Sequence, residues 1–497
     1  MDGPSDPKKR KVHTPNPCGD IRDIRTLDGI NAVLEKHARQ IDALAAANKE
    51  LEGRNAALEE RCEALDRKHD ALVGKLQALC REKCESLERS CDKLEVRCSS
   101  LERSIQVLKK DVSWKYSAPD IPRSHWTEQG RDEEYADIME DCLSRIKMDA
   151  EVMRAGVESY YCRCLDNEGQ LTILFEDALL PHFKELADAI QMSDGVRKIV
   201  IDNIELRPSA LGILFQAMEG KVSDTFMYCI RFPDLDVVEC YEIIATSIRR
   251  NHALTTLTWV DNQIPSDNQA DPMIESVIDN RSIKHVTMEN CFNQNGVNGC
   301  RALATLLTCG RPFEKLDFDR NGLSGIDDVA AALATNPQLK ILRLSGNELN
   351  DSDAGLIAQA LKQNTHLQSL YLGGDDTITS AGFEGIRASI YNPSSFKAME
   401  SCNHTCWVDR AADNCEGMTP RKRRNRKMYK LLSTRHTEGS NACHLNVELG
   451  EVIKLVPRVL ECVKRCSDDR TTNLVIPLSI YFELIKSWMP PLFGHPT

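Results

Sequence analysis

The sequence predicts an α/β fold: a solenoid of parallel strands alternating with helices, preceded by a long α-helical coiled coil and followed by a helical C-terminal cap. Three observations predict it. The phrase Leu-x-x-Leu-x-Leu-x-x-Asn returns about every 28 residues through the second half of the 497-residue chain. Leucine recurs at heptad spacing between Leu27 and Val112. The repeat fades after Phe396, where a stacked array needs a cover for its last face.

Composition limits the possible functions. The hydrophobic content of 41% supports a core, and the net charge of −12 argues against general affinity for nucleic acids or anionic membranes. No run approaches the roughly 18 apolar residues that span a bilayer, and the N-terminus has no apolar secretion signal. The 20 cysteines are spread over the chain, which is typical of reduced thiols in an intracellular protein. We therefore expect neither nucleic acid nor membrane as a partner.

Residues 1–23 are expected to form a disordered tail because prolines and glycines crowd them. The tail contains PKKRKV, which matches a short basic nuclear-import signal. In an extended tail, Lys8, Lys9, Arg10 and Lys11 could reach acidic pockets of an import receptor. Nuclear localisation is the prediction, and a solvated basic tail on a cytoplasmic protein is the alternative.

Residues 24–113 are expected to form a coiled coil. Leucines occupy successive d positions, one residue is inserted after Leu79, and the register then resumes. The predicted dimer seam includes Leu44, Asn48, Leu51, Asn55, Leu58, Leu65, Leu72, Leu79, Leu87, Leu94 and Leu101.

Flanking charges predict the orientation of the coiled coil. In a parallel pair, each g residue faces the e residue five positions later on the partner, and an antiparallel pair would oppose like charges. The complementary g–e pairs are Arg54 with Glu59, Arg61 with Asp66, Lys83 with Glu88, and Arg97 with Glu102. Buried asparagines at a positions favour two strands in register, so we predict a parallel homodimer. A single solvated helix is the alternative.

Three cysteines, Cys84, Cys91 and Cys98, occupy successive a positions of this seam. An interchain disulfide is one interpretation. Packing is favoured, because a small apolar side chain suits position a.

Residues 114–169 are expected to form a linker and a helix. Pro119 and Pro122 break the preceding helix, and Trp114 and Trp126 are expected to dock on a neighbouring element. The repeats are assigned to 170–401, with helices expected at 133–156, 174–191, 327–335 and 353–364. Residues 402–497 form the predicted cap, with a basic run at 421–427 and an apolar stretch at 474–488.

The clearest repeat is LKILRLSGNEL, which begins at Leu339. Cys291 stands where one copy should have asparagine. The predicted copies begin at Val196, Phe226, Leu254, Ile283, Phe313, Leu339, Leu367 and Phe396. With a helix in each unit, the pattern resembles the ribonuclease-inhibitor class of leucine-rich repeats, most specifically at 313–372. This resemblance implies protein binding across a concave face.

Register predicts which side chains that face presents, because side chains alternate along a strand. The fifth repeat position gives Val200, Thr258, Thr287, Asp317, Arg343 and Tyr371, and the seventh gives Asp202, Val260, Glu289, Asp319 and Ser345. The candidate partner-binding residues are Thr258, Thr287, Glu289, Asp317, Asp319, Arg343, Ser345 and Tyr371. The acidic middle of this row favours a basic partner surface, and a merely solvated face is the alternative.

Other motifs are weaker. Residues 317–328 imitate a calcium loop, but they lack glutamate at position twelve and already belong to a repeat. The clusters Cys402–His404–Cys406 and Cys162–Cys164 offer too few ligands at irregular spacing for zinc. No phosphate loop or catalytic constellation stands out, so no cofactor, metal or catalytic residue is expected. The sequence predicts a non-enzymatic scaffold. Because some relatives of the repeat class stimulate nuclear small GTPases, such regulation is the alternative.

Overall fold

The structure is a computed structural model. It describes residues 27–439, except 111–113, 158–159, 166–170, 293–297, 375–376 and 412–416, together with His444, Glu448, Val459, Glu461 and Phe482. The import motif at Lys8–Lys11 and most of the apolar stretch at 474–488 lie outside the described residues. Among the helices that are described, none is both long and apolar enough to cross a membrane.

The predicted coiled-coil segment is one helix, α1 (Leu27–Lys110), of 84 residues. The chain divides into two compact units, Met1–Glu88 and Arg89–Thr497, and α1 supplies the described part of the first. Seam leucines are exposed along the helix, from 54% at Leu79 to 70% at Leu44. The a-position cysteines Cys84, Cys91 and Cys98 are free and exposed.

The segment after α1 packs into the second unit. Two helices, α2 (Arg123–Glu128) and α3 (Glu133–Arg154), follow, and the Asp132 side chain caps α3 by accepting a hydrogen bond from the Tyr135 amide. Trp126 is fully buried, and the Trp114 indole donates a 3.0 Å hydrogen bond to Glu185. The expected docking of these two tryptophans is confirmed.

In the described part of the chain, nine parallel strands form one sheet, and each strand pairs with the next in chain order. The strands are β1 Tyr160–Leu165, β2 Val196–Asp202, β3 Asp224–Tyr228, β4 Thr256–Val260, β5 His285–Glu289, β6 Lys315–Asp317, β7 Ile341–Arg343, β8 Ser369–Tyr371 and β9 Trp407–Val408. The alternating helices are α4 Leu180–Met192, α5 Pro208–Met218, α6 Val237–Arg250, α7 Asp267–Asp279, α8 Gly299–Thr308, α9 Asp327–Ala334, α10 Asp351–Gln363, α11 Ser380–Ile390 and α12 Phe396–Glu400, and α13 Pro420–Thr437 follows β9.

The repeated apolar positions form a continuous core between sheet and helices. In the clearest copy, Leu339 is 2% exposed, and Leu342, Leu344 and Leu349 are fully buried. Full burial of one leucine stabilises the fold by roughly 1.5–3 kcal/mol. Equivalent side chains of successive units extend this core, so each unit covers its neighbour.

The asparagine at the ninth repeat position ties neighbouring units together. Asn347 Oδ1 accepts hydrogen bonds from the amides of Asn321 and Leu323, and its Nδ2 donates to the carbonyls of Phe318 and Leu344. The side chains that bond to the preceding unit in this way, here called the turn asparagines, are Asn262, Asn321 and Asn347. In the cysteine-substituted copy, the Cys291 thiol donates to the carbonyl of Trp259 at 3.3 Å.

A second set of asparagines, which the sequence analysis missed, closes the helix ends. Asn280 Nδ2 donates to the carbonyls of Ile248 and Asn251 of the preceding unit, and its Oδ1 accepts from the Ser282 amide. The members, here called the helix-end asparagines, are Asn251, Asn280, Asn364 and Asn403. Asn280, Asn364 and Asn403 satisfy carbonyl groups that a helix terminus leaves unpaired, whereas Asn251 accepts from the Gly220 amide and donates to the Val222 carbonyl, just after α5 ends.

Two predicted repeat copies start at the wrong residue. Phe226 lies half-buried on the outer face of β3, whereas Thr225 and Met227 point inward, so that copy begins at Val222. The copy assigned to Phe396 is also wrong, because Phe396–Glu400 is helix α12.

The limits of the repeat region require the same correction. The last unit supplies β9, inside the predicted cap of 402–497. At the other end, β1 pairs with β2 and lies in the predicted linker segment of 114–169. The sheet therefore extends beyond 170–401 at both ends.

Candidate functional site

The face of the sheet opposite the helices carries rows of side chains that cross the strands. Strand pairing places Thr258 beside Thr287, then Asp317, Arg343 and Tyr371 in one row. The paired positions two residues later on β2 to β5 are Asp202, Tyr228, Val260 and Glu289. The predicted register is therefore the observed one, and β3 adds Phe226 and Tyr228, which the misplaced repeat start concealed.

The two aspartates of the row are not free carboxylates. Asp317 is 4% and Asp319 is 6% exposed. Arg343 covers both, with Nε 3.2 Å from an Asp317 oxygen and 3.0 Å from an Asp319 oxygen, and Lys315 Nζ lies 3.0 Å from Asp317. Burial and the neighbouring Asp317 raise the pKa of the Asp319 carboxyl above its ordinary value, and Arg343 opposes the rise. The middle of the row thus presents an arginine above a neutralised acidic pair.

Aromatic side chains continue the row beyond Arg343. The guanidinium lies 4.8 Å from the centre of the Tyr371 ring, in cation–π contact. Tyr371 in turn contacts Trp407 of β9 edge to face, with ring centres 5.4 Å apart. The misassigned last repeat concealed Trp407. Its signal in the sequence is Asn403, which stands three residues before Cys406 as the other helix-end asparagines stand before their repeats.

A groove of 480 Å³ lies beside the row, where the chain leaves strands β5 to β8. It is lined by Glu289, Asn290, Asp319, Arg320, Gly322, Ser345, Gly346, Glu348 and Gly374. Backbone at positive φ shapes this edge at Asn290, Arg320, Gly346 and Gly374. Gly374 is required there, because a Cβ would lie 2.6 Å from the Gly346 nitrogen.

The remaining predicted row residues, Thr258, Thr287, Glu289 and Ser345, are half-buried. Glu289 accepts a 2.7 Å hydrogen bond from Arg320 Nε, so its charge is also paired. Ser345 donates its amide to Asp319. In the segment that resembles a calcium loop, Asp317 and Asp319 bind Arg343 and Asn321 bonds to the backbone of the previous unit.

Two cysteine motifs differ in their surroundings. His404, between Cys402 and Cys406, is largely buried, which lowers its pKa to about 4, and Lys427 and Arg424 add to the shift. The other motif, Cys162 and Cys164 on β1, has a third candidate ligand, Asp149 of α3, with the ligand atoms within 4.8 Å of one another. Their separation along the chain hid this cluster from sequence reasoning.

Comparison with known proteins adds little. No protein-family model matches the chain. A solved structure titled as the yeast Rad7 and Elc1 complex matches with 12% identity and a TM-score of 0.29, over 69% of this chain and 96% of that chain. At this TM-score the likeness assigns neither a family nor a function to the chain.

Proposed function

We propose that this protein is a non-enzymatic interaction scaffold, built as a leucine-rich-repeat solenoid of the ribonuclease-inhibitor class on a dimeric coiled-coil stalk. A protein partner binds the outer, concave face of the sheet. The observation that carries this proposal is the continuous row across strands β2 to β8, which ends in Arg343 and Tyr371, with Trp407 of β9 packed against the Tyr371 ring.

The row suits protein recognition for a physical reason. Arginine, tyrosine and tryptophan dominate the energetic centres of protein interfaces, because each contributes a large contact area together with a polar group. Here Arg343 is held by two carboxylates and by Tyr371, so little side-chain entropy remains to be lost on binding. Because Asp317 and Asp319 are already paired with Arg343 and Lys315, the contact depends on shape and aromatic packing more than on an acidic surface.

Site-specific cross-linking tests the binding face. A photoreactive amino acid at Thr287 or Tyr371 of the full chain should cross-link the partner, and the same amino acid at Gln359, exposed on helix α10, should not. The substitution Thr287→Arg should release that partner, with Gln359→Arg as the matched control. Partner binding that survives Thr287→Arg but is lost with Gln359→Arg would contradict the proposal. If this protein instead accelerates GTP hydrolysis by a small GTPase in a single-turnover assay, the alternative, regulation of a small GTPase, would be supported.

The stalk is proposed to pair with a second copy in parallel. Its leucine seam is exposed along the helix from Leu44 to Leu101, and such a long apolar surface is unfavourable in contact with water. Within the second unit, the C-terminal part of α1 makes its contacts through other positions. Val96 packs against Gly220, and the Ser104 hydroxyl lies 3.3 Å from the Gln191 carbonyl oxygen. Neither is an a or d residue, so these two contacts leave the described seam leucines accessible to a partner helix.

Sedimentation tests the stalk. The full chain should be a dimer at micromolar concentration, and Leu58→Asp with Leu79→Asp should make it monomeric by placing charges in the seam. Ala56→Asp with Gln77→Asp, at outer heptad positions, is the matched control and should stay dimeric. Mild oxidation should link two parallel chains through Cys84, Cys91 or Cys98, and the triple serine variant should not link. A wild-type dimer that never links would contradict the parallel orientation.

Nuclear import through Lys8–Lys11 is the remaining part of the proposal. A fluorescent fusion should be nuclear, and Lys8→Ala with Lys9→Ala, Arg10→Ala and Lys11→Ala should make it cytoplasmic. A distribution unchanged by these substitutions would contradict it.

A further inference from the structure

A buried cluster of two thiols and a carboxylate lies between β1 and α3. Cys162 and Cys164 alternate with Arg163 along β1, so both side chains point to the helix side of the sheet. Asp149 reaches them from the last turns of α3. Cys162 and Cys164 are each 1% exposed and Asp149 is 4% exposed, and the proposed binding face and stalk seam use none of the three.

The geometry points to a zinc site. We propose that Cys162 Sγ, Cys164 Sγ and an Asp149 carboxylate oxygen bind one zinc ion, which fastens the first strand to helix α3. The two sulfur atoms are 3.4 Å apart, and all three ligand atoms lie within 4.8 Å of one another. A zinc ion about 2.3 Å from each sulfur would see them at an angle of about 95°. Opening the pair by about 0.4 Å gives the tetrahedral angle.

The carboxylate is already oriented for this role. The Tyr160 hydroxyl donates a 2.5 Å hydrogen bond to Asp149 Oδ1, and the amides of Arg163 and Cys164 donate to Oδ2. Such partners fix a metal-binding carboxylate and leave lone pairs for the cation. Structural zinc is four-coordinate, and these side chains supply three of the four ligands. Cys142 is buried nearby, with its sulfur 3.9 Å from the Cys164 carbonyl oxygen, but it is not among the ligand atoms that lie within 4.8 Å of one another.

Charge balance favours a divalent cation. Binding displaces one proton from each thiol, so two protons leave for each zinc ion bound. Two thiolates and one carboxylate carry three negative charges, and Zn²⁺ leaves a net charge of −1 at a buried site. A monovalent thiophilic ion would leave −2 in the same place, at a higher desolvation cost. Closely spaced sulfur ligands exclude magnesium and calcium, which prefer oxygen.

The alternative is that the thiols only pack. Buried cysteines elsewhere show this behaviour, and Cys240 of α6 supplies a matched case. It is fully buried, and its thiol lies 3.9 Å from the Leu206 carbonyl oxygen, as the Cys142 thiol lies from that of Cys164. Cys240 therefore serves as the control residue.

The test uses the full chain, purified with reductant and loaded with zinc. Dialysis against a weak chelator then removes zinc that is bound only to exposed thiols. Elemental analysis should find about one zinc per chain in the wild type and in Cys240→Ala, and none in Cys162→Ser with Cys164→Ser. Asp149→Asn keeps the size of the side chain and should lower the zinc content several-fold. Circular dichroism confirms that each variant is folded.

Cobalt substitution gives an independent readout. Co²⁺ should produce the thiolate charge-transfer and tetrahedral ligand-field bands in the wild type, and the double serine variant should lack the contribution of this site. Added zinc should also raise the thermal midpoint of the wild type but not that of the double variant. Equal retained zinc in the wild type and in a folded double serine variant would overturn the proposal, whether or not the outer face of the sheet binds a partner.

Discussion

The substitution Asn347→Ala tests whether the turn asparagines hold neighbouring units together. Asn347 is 2% exposed and makes four hydrogen bonds to backbone groups, at 2.7–3.1 Å. Two of them satisfy the amides of Asn321 and Leu323, which alanine would leave buried without an acceptor. An unsatisfied buried donor costs about 1–3 kcal/mol, so the two amides alone predict a loss of about 2–6 kcal/mol.

Urea denaturation followed by far-ultraviolet circular dichroism measures that loss, as the shift in midpoint multiplied by the slope. Asn392→Ala is the control. Its side chain makes one exposed hydrogen bond, to the Ser394 amide at 3.0 Å, so the expected cost is about 0.5–1 kcal/mol. The reasoning fails if the two variants lose the same stability, because the asparagine would then be replaceable by water at the unit boundary.

Three further predictions concern backbone strain and pH. Gly374→Ala should lower the free energy of unfolding by more than about 2 kcal/mol, since its φ is +109° and a Cβ would meet the Gly346 nitrogen. Gly310→Ala, at φ +75° with open space around it, is the control and should lower it by only about 1–2 kcal/mol in urea denaturation. Arg343→Ala should lose more stability near pH 7 than near pH 4. The folded-state pKa of Asp319 is raised, so its ionisation opposes folding as pH rises, and Arg343 offsets that cost; an equal loss at both pH values would refute this. His404, with its pKa lowered to about 4, contributes stability that is full above about pH 6.5 and declines as pH falls. His404→Gln should therefore reduce, by roughly 1–2 kcal/mol, the stability that the protein loses between about pH 7 and pH 5. An unchanged dependence of stability on pH would contradict this role of His404.

The leucine periods were sufficient to predict α1, the alternation of strands and helices, and the outer row on β2 and from β4 to β8, because period directly reports which side chains are buried. The ion pairing within the row could not be predicted. Arg343 and the aspartates it covers belong to adjacent units, and only the strand register shows that one guanidinium reaches both carboxylates. The same limit hid the Asp149–Cys162–Cys164 cluster, which a helix and a strand bring together.

The two sets of asparagines explain why the leucine pattern fails at particular places while the sheet continues. At β9 only Val408 keeps a buried apolar position on the short strand, yet Asn403 still bonds to the carbonyls of Leu361 and Asn364. Upstream, Thr225 replaces an apolar side chain in β3, and Asn251 and Asn262 bond to its unit from the next one. Hydrogen bonds between units thus maintain register where apolar burial is weaker. Asparagine three residues before the first buried residue of a candidate repeat is therefore a better sign of a degenerate repeat than leucine within its strand.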